Sequence, residues 1–207
     1  MKSELHMGQA AGVELVRPGK GVADKLAPKG RFHVEHWRGG VKINEFDVSN
    51  YITDEGRTKL LEVMFHNGTK LTAWWMGLVS ASSFTSYGQG DAYAQLAGTN
   101  GWREFQDYTD NLNGGSSSTR PSWGAGAAGV TSHVASTTNA AAAVFDITSG
   151  NTVKGLFIVG GTASPGSQTK GDTTAADGVL WAAAAFTAGD VAVLNGDQLK
   201  VTYTVTA

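Results

Sequence analysis

Histidine and carboxylate side chains are the groups in this chain that could bind a metal or move a proton, and their spacing argues against both roles. The five histidines are His6, His33, His36, His66 and His133, and none forms the H-E-x-x-H pattern of a helical zinc site. His33 and His36 lie three apart in an alternating stretch, so as strand residues they point to opposite faces and cannot chelate one ion. Asp107, Asp110, Asn113 and Gly114 gather oxygen ligands in DYTDNLNGG, but not at calcium-loop spacing, and the segment reads as an Asx-rich turn. Glu104 and Asp107 could be cast as the acid pair of a glycosidase, yet nothing in the sequence fixes their separation. The absence of cysteine excludes a thiolate nucleophile, a thiolate metal site and a disulfide framework. There is no G-x-S-x-G elbow and no P-loop, and Gly155 and Gly160-Gly161 lie in or beside a strand without the following helix that phosphate binding needs. The chain is therefore expected to be non-enzymatic, with no catalytic, cofactor or metal site.

Binding chemistry is the remaining class. Of the six tryptophans, Trp37, Trp74, Trp75, Trp102, Trp123 and Trp181, most are expected in the core, where aromatic rings supply large buried area. Trp102 and Trp123 flank the long loop region and are expected to be exposed. Together with Arg120, and with Arg17 and Lys20 near the N-terminus, they are the candidate interface residues, because Trp and Arg are favoured at binding hot spots. Nucleic acid is not an expected partner: the net charge is −2, the N-terminal lysines are diluted by Glu4, Glu14 and Asp24, and no basic-aromatic platform is visible. No apolar run approaches the ~18–20 residues of a membrane span, and the polar stretch Met1–Ala10 is unlike a secretory signal.

These residues must be positioned by a mainly β fold. Charged residues make up 16% of the 207, against about 25% in an average soluble protein. Gly, Ala, Ser and Thr are abundant, a composition suited to closely packed strands and to surfaces later covered by partners. Residues 1–30, with Pro18 and Pro28 and no sustained periodicity, read as an extended N-terminal arm that is ordered only against a neighbour. Two period-two runs around Gly39-Gly40 predict a hairpin over Arg31–Val48. Thr53 caps a predicted helix over Asp54–His66, whose stripe Leu60, Leu61, Met64 and Phe65 is expected to cover a sheet face, with Asn67-Gly68 as the stop. Leu71–Val79 reads as a buried strand, residues 80–139 as long loops, and Asn113–Thr119 as a loop tip. Further strands are predicted at Ala141–Thr148, Thr152–Val159, Val179–Phe186, Val191–Leu194 and Gln198–Val205, the last pair joined by an Asn195-Gly196-Asp197 turn. At least seven strands bounded by turns predict an antiparallel sandwich or jelly roll over 31–207, with one short helix.

An ordered series of pieces carries a family resemblance: FHVEHWRGGVKINEFDV, ITDEGRTKLLEVMF, WWMGLVS, Gly101-Trp102-Arg103-Glu104 with Tyr108, Arg120-Pro121-Ser122-Trp123, VFDIT, GLFIVGG, VLWAAAAF and the Gly-Asp of NGDQLKVTYTVT. From about Arg31 to the C-terminus the chain resembles small virion structural proteins of tailed phages. That resemblance implies a particle component similar to head decoration or cement proteins, often jelly rolls that sit as trimers on the capsid lattice. Its implied partners are the major capsid protein or neighbouring virion proteins and further copies of itself, and its implied location is the virion, assembled in the host cytoplasm. A neck, collar or tail component fits the same pieces, because family likeness does not fix a position. A carbohydrate- or receptor-binding module, suggested by the tryptophans and Asx-rich loops, is the alternative of another class.

Overall fold

The computed structural model describes residues 28–82, 84, 86–96, 102–111, 115–124, 134–136, 142–162, 168–173 and 178–206. Alternation sets the first hairpin. In β1 (Lys29–Arg38), Phe32, Val34 and His36 point inward and His33, Glu35 and Trp37 outward, as period two requires. Gly39 and Gly40 turn the chain at φ +56° and +80°, the left-handed pair that a two-residue hairpin loop uses and that side chains resist. The chain returns as β2 (Val41–Ile52), with a register shift at His36/Trp37. β1 begins earlier than the expected arm boundary, because Lys29 and Gly30 already pair with Thr206 and Val205. The rest of the arm, including Arg17 and Lys20, lies outside the described residues.

The remaining elements are α1 (Asp54–Phe65), β3 (Ala73–Ser80), a 3-10 turn (Tyr93–Leu96), β4 (Glu104–Phe105), β5 (Tyr108–Asp110), β6 (Val134–Ser136), β7 (Ala143–Ile147), β8 (Asn151–Gly161), β9 (Val179–Ala185), β10 (Val191–Val193) and β11 (Gln198–Thr206). Every strand pair is antiparallel. One sheet is ordered β2-β1-β11-β7-β5, with β6 also on β11; the other is β4-β3-β8-β9, with β10 on β8. Two strand passages join them. β2 leaves β1 and pairs with β9 at Tyr51↔Ala183 and Ile52↔Ala182. At the opposite margin the consecutive strands β4 and β5 pair with β3 and β7 respectively. The result is a nearly closed, barrel-like β-sandwich, the expected mainly β, jelly-roll-like class with one short helix. The described parts of 80–139 supply strands to both sheets, so this region is woven into the sandwich.

The two inner faces enclose a core that includes Phe32, Val34, Met76, Leu78, Phe145, Leu156, Ile158 and Tyr203. A second cluster lies on the outer face of the β3-β8-β9 sheet and holds Trp75, Val79, Tyr93, Leu96, Trp102, Phe157 and Leu180. That sheet is therefore buried on both sides, which is why β3 and β8 read as continuous apolar runs and not as alternations. Sheet spacing is tight there. A Cβ added to Gly155 would overlap the Ala184 carbonyl oxygen of the neighbouring strand, which is backbone and cannot rotate away. Gly155→Ala is expected to lower stability by about 1–3 kcal/mol, read as a lower urea midpoint at unchanged slope.

The helix corrects one expectation. Thr53 Oγ1 caps it by accepting from Gly56 N–H at 3.0 Å, and Thr53 N–H donates to the Trp181 carbonyl at 3.0 Å. Glu55 Oε2 accepts from the Leu180 and Tyr93 backbone N–H groups at 2.6 and 2.9 Å. Burial pushes the Glu55 pKa up, and these two N–H groups oppose the rise. Gly56 lies against Trp181 so closely that a Cβ would come within 2.8 Å of its carbonyl oxygen. These first-turn contacts fix the helix rotation. Gly56 is buried, Leu60 and Val63 follow it at helical spacing and are half-buried, and the rest of the expected stripe faces out: Leu61, Met64 and Phe65 are 50%, 54% and 70% exposed. No described helix is long and apolar enough to cross a membrane.

Candidate interaction surface

The loops between β3 and β7 are closed by a buried ion pair. Glu104 and Arg120 meet side by side, with Nε–Oε1 at 2.8 Å and Nη2–Oε2 at 2.7 Å, and neither side chain is exposed. Arg120 also donates to the Asp172 carbonyl at 3.0 Å and to the Tyr93 hydroxyl at 3.5 Å, and its guanidinium lies over the Phe157 ring at 5.5 Å. Glu104 accepts from Gly171 N–H at 2.6 Å and from the Tyr108 hydroxyl at 3.4 Å. Burial alone would lower the Arg120 pKa, but the adjacent Glu104 carboxylate outweighs it and the pKa rises. Burial, reinforced by the Glu104 charge, drives the Tyr108 pKa well up. With every donor turned inward, this pair offers no group to a substrate. It fastens residues 115–124 and 168–173 to β4, where Arg120 N–H also donates to the Gln168 carbonyl and Lys170 N–H to the Ser118 carbonyl.

Three of the candidate interface residues are thereby placed in the interior, and for Trp102 and Trp123 this is contrary to the expected exposure. Arg120 and Trp102 are fully buried and Trp123 is 8% exposed. Trp102 packs on Tyr87 and Phe157 at ring distances of 5.1 and 5.9 Å, because the loops fold back over the outer face of the β3-β8-β9 sheet. Trp123 sits against Tyr203 at 5.2 Å, and its backbone N–H donates to the Trp74 carbonyl, so residues 121–123 run along β3 beyond the end of β4. Among the described residues, these loops supply Trp102 to the outer-face cluster and Trp123 to the main core. The pairing of Glu104 with Asp107 as acids also fails, since Glu104 is buried on Arg120 while Asp107 is exposed. Asp110 is buried with its N–H on the Ser116 carbonyl, and Asn113 and Gly114 lie outside the described residues.

A second charged centre ties the hairpin end to the last turn. Asp197, at 1% side-chain exposure, accepts from Arg38 Nε and Nη2 at 2.8 and 2.7 Å, from His36 Nε2 at 2.8 Å and from Leu194 N–H at 2.8 Å. The Arg38 hydrogen bonds, against the opposing effect of burial, hold the Asp197 carboxyl well below the usual carboxylate range. His36 thus faces in and His33 out, as alternation required. On the outer face Glu35 stands directly opposite Glu45. A His33 nitrogen and oxygens of these two glutamates lie within 4.8 Å of one another, a possible cation-ligand set. The Lys42 ammonium already reaches both carboxylates and supplies the positive charge this like-charged cross-strand pair requires.

Among the described residues, the fold also displays apolar side chains. The first residues of β2 are exposed on both faces, with Val41 at 63% and Ile43 at 48%, and Leu194 at 53% lies in the turn that Arg38 holds through Asp197. Among the described residues, β2 pairs with β9 only at Tyr51 and Ile52, which leaves the edge from Val41 to Asn50 open beside a cleft of about 280 Å³ lined by Ile43, Asn44, Phe46 and residues 188–192. None of these positions was singled out in the sequence as a contact. The signal was two apolar residues, Val41 and Ile43, separated by one position at the start of the hairpin's second strand. Comparison with protein-family models, curated proteins and solved structures finds no match.

Proposed function

We propose that this chain is a non-enzymatic virion structural protein, a capsid decoration or cement protein that stabilises a phage head through contacts with the major capsid protein and with copies of itself, trimers being the favoured arrangement. The observation that carries the proposal is the projecting end of the β1–β2 hairpin: exposed Val41 and Ile43 beside an open strand edge, on a chain with only 16% charged residues. Exposed apolar side chains and an unpaired edge are costly on a free monomer and useful at an interface, where a neighbour adds a strand or fills the adjoining cleft. The family resemblance carried by the ordered motifs from Arg31 onward supplies the particle context. A neck, collar or tail position is the alternative, and copy number separates the two. Quantitative mass spectrometry of purified virions should give a ratio to the major capsid protein near one; a few per cent moves the protein to the neck or tail, and absence from particles refutes the proposal. Ile43→Asp, at an exposed site, should leave the unfolding free energy within about 0.5 kcal/mol of the parent while abolishing retention on particles stripped and rebuilt with the variant.

A further inference from the structure

On the outer face of the first hairpin, His33, Glu35 and Glu45 each present one ligand atom within 4.8 Å of the others. Parity and register put them there: His33 and Glu35 share the outward face of β1, and Glu45 stands opposite Glu35 on β2. The converging atoms are His33 Nε2, Glu35 Oε1 and Glu45 Oε1, with Nε2 at 4.0 and 3.4 Å from the two oxygens. Zinc bonds of about 2.0–2.2 Å in tetrahedral geometry set neighbouring ligand atoms about 3.3–3.5 Å apart. The His33–Glu45 separation has that value, and a small rotation of the Glu35 side chain closes the other.

Two of the ligands are also held from behind. His33 Nδ1 lies 3.1 Å from Asp47 Oδ1, and donating its proton there turns the Nε2 lone pair toward the glutamates. Trp37 Nε1–H donates to Glu35 Oε2 at 2.9 Å, which leaves Oε1 for the imidazole side. Three lone-pair atoms then face one another, an arrangement that a cation satisfies. The Lys42 ammonium stands in that role, 3.3 Å from Glu35 Oε1 and also on Glu45 Oε2, from a side chain that is itself 37% exposed and can swing out. Spacing along one strand could not show this set, because its ligands come from two strands and meet only in the folded register.

We infer that His33, Glu35 and Glu45 bind a divalent ion of zinc-like preference, with Asp47 and Trp37 orienting the ligands, Lys42 displaced and water completing the coordination. Such an ion would staple β1 to β2. The inference does not rest on the virion proposal, since it concerns one chain by itself.

Isothermal titration of the full-length protein with zinc chloride at neutral pH tests it, and with no cysteine present no thiolate competes. One Zn²⁺ per chain is expected on this set. His33→Ala and Glu45→Gln should each lose it, and Asp47→Asn should weaken it about 10–100-fold. Lys42→Met should tighten it about ten-fold, because a competing charge is removed; loss of a merely structural ion pair would not do so. Urea midpoints without zinc check that each variant is folded. No uptake by the parent, parent-like binding by both His33→Ala and Glu45→Gln, or no gain in Lys42→Met overturns the inference. Equal affinity for Mg²⁺, which prefers oxygen ligands alone, also overturns it by showing a diffuse acidic surface.

Discussion

Arg120→Met, made alone, should lower the unfolding free energy by about 3–5 kcal/mol, which for a chain of this size is a fall in melting temperature of about 10 °C. The substitution keeps much of the side-chain volume, so the loss is electrostatic. Glu104 is left in the interior with the Gly171 N–H and the Tyr108 hydroxyl but no cation, and an unpaired buried carboxylate is among the costliest groups a fold can hold. Residues 115–124 and 168–173 also lose the Asp172 and Tyr93 hydrogen bonds that Arg120 donates. The double variant Glu104→Leu/Arg120→Met tests this account. Removing both charges should recover more than half of the lost stability, because the desolvation cost of the pair disappears with it. Thermal or urea unfolding of the parent, the single and the double variants measures all three. A double variant no better than Arg120→Met would show that the hydrogen bonds to the loops, and not the stranded charge, dominate.

Asp197→Asn is expected to cost about 2–3 kcal/mol at neutral pH, in the range of hydrogen bonds to charged groups. It weakens the paired Arg38 hydrogen bonds that hold the hairpin end to the β10–β11 turn. The effect has a definite pH dependence. The Asp197 pKa is depressed in the folded chain, so its contribution is fully present above the unfolded value of about 3.9. It declines as the pH falls below that value toward the folded pKa, because the unfolded state takes up the proton first. The stability difference between parent and Asp197→Asn should therefore be constant from about pH 7 to pH 5 and shrink steadily below pH 4. Urea midpoints at a series of pH values check this. A difference that stayed constant into acid would mean that the carboxylate charge contributes nothing beyond its shape.

The local elements were legible because their causes are local. Alternation over Phe32–Trp37, the Gly39-Gly40 pair, the Thr53 cap and the Asn195-Gly196-Asp197 turn each act within a few residues, and each element appears within a few residues of its expected bounds. The apolar runs of β3, β8 and β9 were legible as buried strands for the same reason. The surface was harder to read. Trp102, Arg120 and Trp123 lie in Gly- and Ser-rich surroundings that look like exposed loop, and their composition gave no sign that the loops close over the β3-β8-β9 sheet. One clue was present in retrospect: Glu104 shares strand parity with Trp102, so burying the tryptophan brings the acid inside and demands a cation such as Arg120.

The helix makes the division plainest. Its start, its end and its apolar stripe follow from the residues of α1 alone. Which face meets the sheet does not, because rotation about the helix axis is set by where Gly56 and Glu55 meet Trp181, Leu180 and Tyr93, residues far along the chain. By itself, then, the sequence determined a mainly β chain with one capped helix, because propensity, turn chemistry and periodicity are short-range. Only the tertiary structure decided that Trp102, Arg120 and Trp123 are buried, Trp102 in the outer-face cluster and Trp123 in the main core, while Leu61, Met64, Phe65, Val41 and Ile43 face solvent. Burial depends on which distant segment comes to lie over a side chain, and chain-local patterns do not carry that information.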